Sequence, residues 1–171
     1  MTANMGMTIR VSAKLAKKLH LPYGQSLPMS TDPFLDWSAD LFTAARTQHI
    51  LITNTTSLYS VVIYGRGVTN ESSFFQDTFA AMQDVFKTDG LASVFEHIAP
   101  AFRPVALAKR ENRSVIGSMN DLIFQARLRL VGQQISPHDT SAFLNGTLMS
   151  YIDYERPRVA FQNMAQKRLA L

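Results

Sequence analysis

The 171-residue chain contains no cysteine. Disulfide scaffolds, thiolate metal sites and a cysteine nucleophile are therefore excluded. It also lacks a long apolar run. Ser60-Val61-Val62-Ile63-Tyr64 is typical of its longest, far short of the roughly 20 residues a membrane-spanning helix needs. Met1 to Gly6 has no positive charge leading into an apolar stretch. No signal peptide is expected there, and the expected location is cytoplasmic. Several catalytic patterns are absent as well: His-Glu-x-x-His, Gly-x-Ser-x-Gly and the Walker phosphate loop. Gly65-Arg66-Gly67 lacks the third glycine of a dinucleotide loop. His20, His49, His97 and His138 are scattered, none paired at helical spacing. No metal site and no cofactor are expected.

What is present points to a globular domain. The hydrophobic fraction is 46%, too high for a disordered chain. No repeat or linker interrupts it, so residues 1–171 are expected to form one domain, with 1–6 as a flexible N-terminal extension. A chain of this size buries about 70% of its unfolded surface. The net charge is +4, unevenly spread. Residues 1–31 hold four basic and no acidic side chains, residues 32–101 three basic and eight acidic, and residues 102–171 ten basic and five acidic. Basic ends around an acidic middle suit either solvated helix faces or an anion-binding surface.

Thr8-Ile9-Arg10-Val11 alternates as a half-buried strand does. Ser12 is placed to cap a short helix carrying Leu15 and Leu19, which must end before Pro22. Pro22, Gly24, Pro28 and Pro33 make 22–36 a loop. Asp36 followed by Trp37, Leu41 and Ala44 fits a short helix with an acidic cap, and its solvated first turn accounts for Asp36 and Asp40. His49–Thr53 and Leu58–Tyr64, β-branched and aromatic around Asn54-Thr55-Thr56, form a hairpin. Apolar content on both faces places both strands inside the sheet. Phe75, Phe79, Met82 and Phe86 line one side of a helix stopped by Asp89-Gly90. Leu91 to Ile98 make a second helix, and Arg103 to Lys109 a further strand. Ser118 to Asp121 resembles a capping box opening an amphipathic helix with Leu122, Ile123, Ala126 and Leu130. Ser136-Pro137 starts another helix, Asn145-Gly146 ends it, and Pro157 begins the last. The fold expected is α+β, a small mixed or antiparallel sheet with a hairpin and helices mainly on one face.

One junction stands out as a site. Asn112 to Asp121 leads from the last strand into that amphipathic helix, where free N–H groups and the helix dipole favour an anion. Arg113 offers a fork for two parallel bonds, and Gly117 allows close approach. Asn112, Ser114, Ser118, Asn120 and Asp121 supply polar groups. The run Asn112-Arg113-Ser114-Val115-Ile116-Gly117-Ser118-Met119-Asn120-Asp121 resembles the signature of an uncharacterised bacterial family, a domain of unknown function. Lys14 to Leu19, Asp36 to Phe42, Ile50 to Leu58, and Leu144-Asn145 with Tyr154 and Pro157 follow its pattern in the same order. The resemblance spans about Thr8 to Phe161 and implies no activity.

The expected function is accordingly a binding or regulatory module holding an anionic ligand or nucleic acid at the Asn112–Asp121 junction. The alternatives are an enzyme on a phosphate-containing substrate, using Asp121, Asn120 or a histidine, and a protein–protein module with an apolar patch near Trp37. No membrane partner is expected.

Overall fold

Alternation in the strands sets up the sheet. In the computed structural model, which describes residues 6–22 and 24–169, five strands run β1 (Thr8–Val11), β2 (Asp36–Ala44), β3 (Thr47–Asn54), β4 (Ser60–Tyr64) and β5 (Ala106–Lys109), in the spatial order β4-β3-β2-β1-β5. The pairs β4–β3 and β3–β2 are antiparallel, and β2–β1 and β1–β5 are parallel. The sheet is therefore mixed. Ile9, Trp37, Ala39, Leu41, Ile50, Ile52 and Val61 face one side. The helices α1 (Ala13–Lys18), α2 (Glu71–Thr88), α3 (Ala92–Ile98) and α6 (Pro157–Leu169) close that side into the larger core. The other side is smaller. There α4 (Arg113–Arg127) and α5 (Pro137–Leu144) bring Val115, Met119, Leu122 and Leu144 onto Phe42, Leu51 and Val62. The fold is a single α+β domain with its helices mainly on one face.

Most caps stand where the residues imply. Ser12 caps α1, Asn70 and Ser73 form a reciprocal box on α2, and Ser136 with Pro137 opens α5. In α2, Phe75, Met82 and Phe86 are buried as expected, while Phe79 is half-buried and Phe74 takes a fully buried place.

Three expectations need correction. Residues 36–44 form β2, not a helix. Trp37 and Leu41 satisfy both a four-residue and a two-residue period, and the centre of the sheet, with β1 on one side and β3 on the other, decides in favour of the second. Asp36 and Asp40 are buried on this strand rather than solvated. The second correction concerns β4, an edge strand rather than an interior one; its outer edge is instead covered by α5. The third is that Ser118 does not cap a helix. The helix begins five residues earlier, and Asn112 accepts from the Ser114 and Val115 amides at 3.0 and 3.1 Å. Of the expected N-terminal extension, residues 1–5 lie outside the described residues. Gly6 is buried against Pro104, where a Cβ would meet the Pro104 carbonyl oxygen at 1.8 Å.

Candidate functional site

The parallel pairing of β1 with β2 places Arg10 next to Ser38 and Thr8 next to Asp36 on the second, more polar face of the sheet. Arg10 lies in the middle of a four-residue strand and is 7% exposed, so its charge needs a partner. Asp36, fully buried, supplies it in a two-point contact: Nε donates to Oδ1 at 3.0 Å and Nη2 to Oδ2 at 2.9 Å. The remaining Arg10 donors reach the Leu27 and Pro28 carbonyls at 2.8 and 2.9 Å. The Ser30 amide donates to Asp36 at 2.9 Å. One buried ion pair thus pins the proline-rich loop across the polar end of the sheet.

Four residues along β2 from Asp36, Asp40 accepts from the Leu41 amide and sits 3.4 Å from Arg110 Nη1 and 3.7 Å from Lys14 Nζ. Two cations share one carboxylate there, leaving a local positive excess. Arg110, just beyond β5, is mostly buried, and its Nε–H has no hydrogen-bond partner among the described residues. Leaving such a donor without a partner costs about 1–3 kcal/mol, more for a charged group.

Arg10 and Arg110 line one cavity of about 240 Å³ with Ser38, Thr55, Glu111 and Asn112. Ser38 and Thr55 hydroxyls bond each other at 3.0 Å. Val115 and Ile116, in the first turn of α4, and Met29 of the loop make its apolar wall. Glu111 is exposed, accepts from the Ser26 hydroxyl at 2.9 Å and sits 3.5 Å from Lys109 Nζ. The cavity therefore combines a helix N-terminus, two guanidinium groups and two hydroxyls.

The seven residues singled out from the sequence are divided by the helix that carries them. Asn112 lines the cavity. Arg113 and Ser114 are exposed in the first turn, and Arg113 has no ion pair among the described residues. Ser118 donates back to the Ser114 carbonyl at 2.9 Å. Gly117, Asn120 and Asp121 are exposed further along the helix and do not line the cavity, and Asp121 borders a separate shallow groove of about 390 Å³. Nothing in the sequence reading points to Arg10, Ser38, Thr55 or Arg110, and Asp36 and Asp40 read there as a solvated first turn although both are buried. Their signal was a charge inside a short strand and two aspartates separated by an even interval, which shares a face only if the segment is extended.

The histidines take no part in the cavity. His49 is buried between Phe42 and Tyr64, each ring centroid 5.4 Å away, with Nδ1 3.0 Å from the Thr47 carbonyl. Burial holds its pKa below the ordinary value. Among the described residues no three His, Asp or Glu side chains gather as a metal site. Among the same residues no helix is long and apolar enough to cross a membrane. Trp37 is fully buried, so the apolar patch expected near it is core.

A family described as a domain of unknown function, DUF6933, matches residues 8–160. The chain belongs to this family. No curated protein and no solved structure matches it. The DUF6933 match runs from β1 into α6 and takes in every residue that lines the cavity as well as the whole of α4.

Proposed function

We propose that this DUF6933 chain is a binding module that holds a small anionic ligand, through a carboxylate or phosphate group, in the cavity between β1, β2 and the start of α4. The observation that carries this reading is Arg110: a mostly buried guanidinium lining a cavity, with an Nε–H that finds no acceptor among the described residues. The sharing of Asp40 between Arg110 and Lys14 supports it, because a second anion would balance the site. So does the start of α4, whose first turn, capped by Asn112, brings the positive end of the helix dipole to the cavity wall. The volume of about 240 Å³ lies below the usual range for drug-sized pockets, roughly 300–1,000 Å³. It suits one anionic group on a small molecule better than a nucleic-acid backbone. This cavity shares Asn112 with the anion site expected from the sequence.

Thermal melts test the reading with inorganic phosphate, acetate, a sugar phosphate and a nucleotide as probes, on wild type and Arg110→Met. Methionine keeps the apolar stem and removes the unsatisfied donor, so the variant folds. At least one probe stabilises the wild type, by about 2.7 kcal/mol at a hundred times its dissociation constant. The shift is lost in Arg110→Met. No shift in the wild type with any probe, or an equal shift in the variant, overturns the proposal.

A further inference from the structure

The solvent face of α4 carries a second, separate pattern. Gly117 sits in the middle of a helix where glycine is costly relative to alanine. No turn or positive φ explains it, since its backbone is helical, and a Cβ there would meet nothing within 4 Å. Arg113 and Asp121 stand four residues before and four after it, about 6 Å along the axis each way. Both are exposed, and neither side chain has a hydrogen bond or ion pair among the described residues. Phe124 and Leu128, 59% and 51% exposed, continue the same face. Leu148 and Tyr154, 55% and 71% exposed, adjoin Phe124 and Asp121 across the shallow groove. Exposed large apolar side chains gathered in one place mark a contact surface.

We propose that two copies of this chain pair through this face, their α4 helices antiparallel and crossing at Gly117. A two-fold axis through that residue sets Arg113 of each copy opposite Asp121 of the other. The contact is self-complementary, as a two-fold interface requires. Glycine lets the two helix backbones approach closely at the crossing point. Phe124, Leu148 and Tyr154 of one copy then close around the first turn of α4 in its mate, which supplies apolar burial, while the two charge pairs set the register. A nucleic acid would require cations without matching acids along the face. The balanced pair about Gly117 instead fits an identical partner.

Analytical ultracentrifugation tests this, with circular dichroism to check folding. The wild type sediments as a dimer, and Gly117→Leu, which favours the helix but fills the crossing point, weakens the dimer at least about tenfold. Arg113→Asp and Asp121→Arg each weaken it as well, because like charges then face each other. The double variant Arg113→Asp/Asp121→Arg regains the dimer, and an equimolar mixture of the two single variants forms a mixed dimer. A wild type that stays monomeric up to about 100 μM overturns the proposal. So does a dimer undiminished by Gly117→Leu, or a double variant no stronger than the single ones. The anion-binding reading is unaffected by any of these results, since it depends on Arg110 and a different face of the helix.

Discussion

A buried histidine makes one consequence visible at the scale of a single residue. His49 lies between two aromatic rings on the second face of the sheet, and desolvation holds its pKa below the ordinary value, the bond to the Thr47 carbonyl offsetting part of the effect. The folded protein therefore binds a proton at this ring less readily than the unfolded chain, whose histidine titrates near 6.5. Above that pH both states are neutral here and the group has no influence. As pH falls through about 6.5 the unfolded state takes up the proton first, and stability declines until the folded-state pKa is reached. Urea unfolding at pH 7.5 and pH 5.5 shows this loss in the wild type. In His49→Phe, which preserves a ring in the stack, the His49 part of the loss disappears. An identical pH dependence in the two proteins would mean the ring is not desolvated. Arg10 and Asp36 illustrate a different residue-level economy. Neither is tolerable alone in that place, and together they hold the loop over the cavity.

At the scale of the element, the edge of the sheet is managed by side chains rather than by another strand. Asn145, fully buried at the end of α5, accepts from the Ser60 amide at 2.7 Å and donates to the Ser60 carbonyl at 2.9 Å. One amide side chain thereby imitates a neighbouring strand. Ser141, one helical turn earlier, accepts from the Val62 amide at 2.8 Å. An open edge would invite pairing with other chains. Asn145→Leu leaves two buried backbone groups unsatisfied, and at 1–3 kcal/mol each it costs about 2–6 kcal/mol in chemical denaturation. A loss below about 1 kcal/mol would show that water replaces the amide. Asn145-Gly146 reads from the sequence as the end of a helix, which it is. Its second task was not legible, because a side chain's reach to a strand 85 residues away has no local signature. The same holds for β2, whose residues fit two periods, and for the start of α4, where Ser118 reads as the cap and Asn112 takes that place.

At the scale of the molecule, α6 closes the larger core. Phe161 is fully buried and meets Phe34, Trp37, Tyr59 and Phe86 with centroid separations of 4.7 to 6.2 Å. These partners come from the loop before β2, from β2 itself, from the turn before β4 and from α2, so one ring joins elements distant in the chain. Two contacts flank it. Arg158 donates to Asp89 at 2.8 Å, and Asp89 accepts from the Tyr59 hydroxyl. Arg168 forks onto Asp32, with contacts of 3.0 and 2.5 Å. Phe161→Ala is expected to cost about 3–5 kcal/mol, a large part of the 5–15 kcal/mol available to a domain. A chain ending at Arg156 is expected to lose its cooperative melt. A sharp thermal transition in that shortened chain would place α6 outside the folding unit.

Local chemistry determined much of this protein. Strand alternation in 8–11, β-branched runs in 49–53 and 60–64, the aromatic stripe of α2 and the caps at Ser12, Asn70 and Ser136 depend on near neighbours alone, and each is readable as written. Tertiary structure decided the rest. It made 36–44 a central strand, because only a place between β1 and β3 distinguishes its two periods. It also assembled the cavity from β1, β2, the turn after β3, the loop of 27–29, the residues after β5 and the first turn of α4, segments separated by more than 100 residues. A charge such as Arg110 shows its residue type in the sequence, but whether its donors find partners depends on what the folded chain sets around it.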